Sequence, residues 1–157
     1  MIFRFSPADF LWNHSLPIYD NTGHVRYRLY ADGYRLTRPV YLRDLGGRDA
    51  AVLLRQSPSL FPRYDMEVYG RPVGTLERIL REKAPEYRLT GLGWQITGSV
   101  KEGNFSFRKH ESPVAFCQRN GNDIILTCQE DIYAISALGA AAVLCCILGP
   151  SEPPAKD

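Results

Sequence analysis

The sequence predicts a mainly β protein, a closed antiparallel β-barrel of about twelve strands around a central hydrophobic C-terminal helix. Three observations carry this expectation. Period-two alternation of apolar and polar residues recurs along the chain, glycine-containing turns separate the alternating runs, and one long segment near the C-terminus has no charge at all.

The alternation is clearest at Arg63-Tyr64-Asp65-Met66-Glu67-Val68, where Tyr64, Met66 and Val68 share one face and the charged residues the other. Such a run is the signature of a half-buried antiparallel strand. It recurs at Val25 to Tyr30, Tyr87 and Leu89, Trp94 and Ile96, Phe105 and Phe107, and Ile124 and Leu126. Between these runs lie Asp20-Asn21-Thr22-Gly23, Ala31-Asp32-Gly33, Leu45-Gly46-Gly47, Tyr69-Gly70-Arg71-Pro72, Lys101-Glu102-Gly103-Asn104 and Asn120-Gly121-Asn122. All are turn chemistry, and strands at this spacing predict a sandwich or barrel rather than a βαβ sheet. No window before residue 130 predicts a helix.

A weak internal repeat supports a meander. GGRDAAVLLRQSPSLFPRYDMEV is followed by GRPVGTLERILREKAPEYRL, and aligning Gly47 with Gly70 sets Pro62-Arg63-Tyr64 beside Pro85-Glu86-Tyr87. A long meander of hairpins must hide its edges, most simply by closing. The aromatic residues Trp12, Tyr64, Tyr87, Trp94, Phe105 and Phe107 sit beside aliphatic ones in these runs and are expected in the core.

The uncharged segment from Ile132 to Leu148 reads IYAISALGAAAVLCCIL, with Glu130-Asp131 before it and Gly149-Pro150 after it. Acidic residues favour a helix start and Gly-Pro ends one. A helix apolar on every face belongs inside protein or lipid. Seventeen residues at about 1.5 Å each give roughly 26 Å, the lower limit for spanning a bilayer and a fit to the hollow of a large barrel. The small residues Ala134, Ala137, Gly139, Ala140, Ala141 and Ala142 favour the barrel; a membrane anchor is the alternative. One domain over residues 1–150 is expected, with the helix at about 131–149 and a disordered tail at 151–157.

Composition excludes several function classes. With 45% hydrophobic and 23% charged residues the chain has the make-up of an ordinary globular domain. A net charge of +2 is too small to imply nucleic-acid binding. Arginine outnumbers lysine, 19 − 4 = 15 against 4, which suits carboxylates and phosphates. Cys117, Cys128, Cys145 and Cys146 have no metal-ligand spacing, and His14, His24 and His110 lie in separate turns. Ser57, Ser59 and the carboxylates form no known catalytic motif. The expectation is a non-enzymatic protein with no cofactor and no metal. The N-terminal MIFRFSPADFLW is not a signal peptide, so a cytoplasmic location is expected.

The candidate binding residues are basic. In VRYRLY, Arg26, Arg28 and Tyr30 share a strand face, and pairing Leu29 with Leu36 would bring Arg35 beside Tyr30. Arg26, Arg28 and Arg35 would then form an outward cluster able to hold a phosphate headgroup by bidentate hydrogen bonds.

The order of these features resembles the LURP-one-related family, which has the Tubby C-terminal-like fold shared with phospholipid scramblases. The carriers are FLWNHSLPIYDNTGHVRYRL, then VYLRDLGGRDAAVLLRQSPSLFPRYDMEV, then GRPVGTLERIL with PEYRLTGLGW and ITG, and PVAF before the apolar segment. The resemblance spans Phe10 to about Leu148 and implies a twelve-stranded barrel around a central helix. It also implies a binding or scaffold module, with anionic phospholipid or phosphoinositide headgroups or a protein partner as ligand and a peripheral place at the membrane. A scramblase-like protein anchored by residues 132–148 is the alternative it offers. In one place the chain departs from the family, since Arg119-Asn120-Gly121-Asn122-Asp123 replaces a longer aromatic loop.

Overall fold

A computed structural model describes residues 1–32, 39–56 and 62–152, the side chain of Trp12 excepted. Twelve strands follow one another around a closed barrel: β1 (Ile2–Phe5), β2 (Ser15–Asp20), β3 (Val25–Ala31), β4 (Val40–Asp44), β5 (Asp49–Arg55), β6 (Arg63–Val68), β7 (Arg71–Ile79), β8 (Glu86–Thr90), β9 (Trp94–Ser99), β10 (Asn104–Lys109), β11 (Ser112–Asn120) and β12 (Asp123–Cys128). Every neighbouring pair is antiparallel, and β1 closes the ring by pairing with both β12 and β2. Closure leaves no row of unpaired backbone groups for another chain to extend.

Alternation decides which side chains fill the interior. Leu29, Leu42, Ala51, Leu53, Tyr64, Met66, Leu76, Leu89, Trp94 and Phe107 are buried there. Tyr87 and Phe105 join them, as their alternating strand positions predict, and Trp12 lies outside the described side chains. The two halves of the internal repeat are successive hairpins, β5 with β6 and β7 with β8.

The apolar segment runs down the middle. It opens with a 3₁₀ turn at Asp131–Tyr133, continues as helix α2 (Ala134–Val143) and finishes in a π-helical turn at Leu144–Leu148. Nine of the ten α2 residues are buried. A β-carbon placed on Gly139 would lie 3.4 Å from both Ala51 Cβ and Leu53 Cδ1, so helix and wall already touch. The segment Asp131–Leu148 is long and apolar enough to cross a membrane, yet 72% of it is buried inside the barrel. The apolar surface that an anchor would offer to lipid is therefore occupied by the protein's own strands.

One expectation needs correcting. A helix does precede residue 130: α1 (Pro7–Asn13) lies between β1 and β2. Seven residues are under two turns, too short for periodicity to show, but Pro7 at the first helical position is a start signal. Its preceding Ser6 hydroxyl bonds to Asp123 on β12 rather than capping the helix, and the helix ends at His14 in the left-handed region. Past the central helix, Ser151 and Glu152 bond to Leu148 and Tyr87; residues 153–157 lie outside the described residues.

Candidate functional site

Strand β3 turns Leu29 into the core and leaves Arg26 and Arg28 exposed. Arg26 does not align with its neighbour, because the register with β2 slips: Ile18 faces Tyr27 and Tyr19 faces Val25, leaving Arg26 as the extra residue of a β-bulge. A bulge re-aims a side chain, and the Arg26 guanidinium ends 3.9 Å from Asp20 at the barrel rim. Arg28 stays on the wall, flanked by Pro17 on β2 and Arg43 on β4.

The expected pairing of Leu29 with Leu36 is corrected by the register. Leu29 faces Leu42 and Tyr30 faces Tyr41, so the partner of β3 begins at Val40 instead of directly after a turn at Ala31-Asp32-Gly33. Arg35 lies outside the described residues. In its place the structure brings Arg43 opposite Arg28, a residue the sequence reading passed over although Val40 to Asp44 alternates as regularly as β3 does. Arg43 Nε donates to Asp49 (3.2 Å), and its guanidinium sits 4.6 Å from the centre of the Tyr30 ring. Tyr30 stacks on Tyr41 with ring centres 5.0 Å apart.

A second polar feature lies at the rim where the central helix begins. Tyr27 and Asp44 face each other at the ends of β3 and β4. Tyr69, held in the left-handed region (φ 47°) by the turn after β6, donates its hydroxyl to Asp44 Oδ2 at 3.0 Å. The Arg48 amide donates to Oδ1 at 3.0 Å. That amide is the main reason the Asp44 carboxyl is held below the usual carboxylate range, with Tyr69 and the Gly46 amide adding to it. Burial, and then the hydrogen bond to Asp44 and its charge, push the Tyr69 phenol up. Arg26, Tyr27, Asp44, Leu45, Gly46 and Tyr69 line a cleft of about 280 Å³ there.

The remaining polar chemistry is local. His14 and His110 occupy left-handed positions in separate loops. His24 Nδ1 lies 2.7 Å from Thr22 Oγ1, which also bonds to Asp20 Oδ1 (2.5 Å), and the same carboxylate oxygen takes the Thr22 and His24 amides. With the hydroxyl proton engaged by Asp20, this is a side chain bracing a tight turn rather than an activated nucleophile. Ser57 and Ser59 lie outside the described residues. Among the described residues no three His, Cys, Asp or Glu side chains converge as a metal site. The four cysteines are free and buried.

The structure defines a closed twelve-stranded antiparallel barrel whose interior is filled by a core helix, with its polar groups on the outer wall and rim. Comparison with known proteins agrees at that level. The chain is 21% identical over 103 residues, 66% of its length, to the uncharacterized protein YxjI of Bacillus subtilis (strain 168), and spans 64% of that relative. An X-ray structure of the Arabidopsis thaliana protein AT5G01750 superposes with a TM-score of 0.62 at 17% identity, covering 90% of this chain and 88% of that one. At that identity the likeness is one of fold. No family model matches the sequence.

Proposed function

We propose that the chain is a non-enzymatic binding module that docks on anionic phospholipid headgroups through the outer face of β3 and β4. The observation that carries this reading is the pairing of Arg28 with Arg43. Like charges directly opposite on neighbouring strands oppose sheet formation. Arg43 is offset by Asp49, while Arg28 has no ion pair among the described residues. Two forked donors on adjacent strands, one of them uncommitted, suit a phosphate oxygen cluster better than a point charge would. The stacked Tyr30 and Tyr41 beside them offer amphipathic surface at headgroup depth. The family resemblance supports the same ligand class, and the cytoplasmic face of a membrane is the location that goes with it.

Flotation with vesicles containing phosphatidylserine or a phosphoinositide tests this. The expected result is binding at low salt that fades as ionic strength rises, with an Arg28→Ala/Arg43→Ala variant losing most of it. Equal flotation of that variant and the parent protein would overturn the reading, as would no flotation of either.

A further inference from the structure

The cleft at the barrel rim is chemically unlike the arginine pair. Its lining combines a carboxylate, two tyrosines and Leu45, which is 73% exposed. Both phenols feel Asp44: burial raises each first, then for Tyr69 the hydrogen bond and charge of Asp44 add to the rise, while for Tyr27 Arg26 opposes it before the Asp44 charge adds to it.

The decisive detail is how the carboxylate is already used. Asp44 accepts from the Arg48 amide, the Gly46 amide and the Tyr69 hydroxyl. Its negative charge remains, but much of its hydrogen-bonding capacity is committed. A primary ammonium seated against this carboxylate would have three N–H groups to satisfy with few protein acceptors left. A quaternary ammonium has none, and gains from charge, from ring faces and from apolar contact with its methyl groups.

Arg26 completes the picture. At 3.9 Å its ion pair with Asp20 is too long for a hydrogen bond, so its donors are available at the edge of the same cleft. Asp44 and Arg26, the latter in a long ion pair with Asp20, line the same cleft, an arrangement that favours a zwitterion over a ligand of either sign alone. We infer that the rim cleft formed by Tyr27, Asp44, Leu45 and Tyr69 binds a quaternary ammonium group, with Arg26 taking the adjoining phosphate, so that its ligand is phosphocholine, either free or as a lipid headgroup. The site is separate from Arg28 and Arg43 and does not depend on the reading given to them.

Tetramethylammonium, inorganic phosphate and phosphocholine, titrated at matched ionic strength into protein observed by NMR, separate the contributions. Saturable shifts confined to Tyr27, Leu45 and Tyr69 are expected for tetramethylammonium, with phosphocholine several-fold tighter. Asp44→Asn keeps an oxygen for the turn amides but removes the charge, and should weaken tetramethylammonium roughly fivefold or more. Arg26→Ala should strengthen tetramethylammonium slightly, by removing a neighbouring cation, and bring phosphocholine to the same level. Arg28→Ala/Arg43→Ala should alter neither, which distinguishes failure of this site from failure of the wall. Phosphatidylcholine vesicles then tell a membrane headgroup from the free ester, and binding of either form supports the site. Absence of a saturable tetramethylammonium shift in the parent protein overturns the proposal, whatever the variants do. So does unchanged affinity in a folded Asp44→Asn or Tyr69→Ala variant.

Discussion

Arg78, on β7, donates through Nη1 to the main-chain carbonyl of Leu148 at 3.3 Å, tying the barrel wall to the last turn of the helix inside it. The same nitrogen reaches Ser151 Oγ at 3.2 Å, and that hydroxyl in turn donates to the Leu148 carbonyl. A cation at a helix C-terminus also meets the negative end of the helix dipole. Next to it the Tyr87 hydroxyl donates to Glu152 at 2.7 Å.

Replacing Arg78 should therefore loosen the helix end without emptying the core. Arg78→Met keeps most of the stem volume and removes the donors. The expected loss is about 1–3 kcal/mol, the usual value of a hydrogen bond from a charged group, read as a lower denaturant midpoint with an unchanged m-value. No shift in the midpoint would show that the contact is decorative.

Gly139 offers the opposite sign. It is an interior helix position where alanine is favoured over glycine by roughly 1 kcal/mol. An added β-carbon would stand 3.4 to 3.6 Å from Ala51, Leu53 and Met66, ordinary contact distances. Gly139→Ala should hold or raise the melting temperature. Gly139→Leu has nowhere to put its extra carbons and should cost about 1–3 kcal/mol or more by overpacking. A destabilised alanine variant together with a tolerated leucine would contradict this placement of the helix.

Alkaline stability follows from the buried thiols. Burial pushes Cys128 up to about 11 from an ordinary value of 9, the Asp131 charge adding to the rise and the N-terminal ammonium opposing it. Burial likewise raises Cys117 and Cys146. The unfolded chain releases these protons first, so the folded state binds more protons above pH 9 and stability must fall as pH climbs. For Cys128 the fall spans pH 9 to about 11. Denaturant midpoints measured across that window should decline, and Cys128→Ala should decline less steeply. A flat profile in the parent protein would mean that the thiols are open to water.

Most of the barrel was legible in the sequence because one periodicity governs it. Tyr64 and Met66 are buried as their spacing dictates, while Val68, past the irregularity between Met66 and Glu67, is only half-buried; Gly46-Gly47 and Tyr69-Gly70 mark turns by backbone chemistry alone. The central helix was legible for the converse reason, since seventeen uncharged residues have few places to go. The site was less so. Arg28 could be placed on the outer face from its own strand, but its neighbour depends on how far the chain travels before it returns, and Arg43 returns where Arg35 was expected. Arg26 was displaced by a bulge that leaves no mark in alternation. The rim cleft draws Tyr27, Asp44 and Tyr69 from two strands and a turn, a convergence that no local pattern encodes.

The closing seam carries a consequence for how the molecule comes into being. Phe3 pairs with Leu126, residues 123 positions apart, while every other seam joins neighbours in the chain. During synthesis eleven junctions between neighbouring strands can form in turn, yet the curled sheet stays an open trough, its greasy lining uncovered, until residues 124–127 and the helix behind them leave the ribosome. Ring closure and helix burial then fall together in a late, long-range step of the kind that folds slowly. Until that moment the apolar lining of the nascent sheet lacks the cover that the finished protein supplies from within.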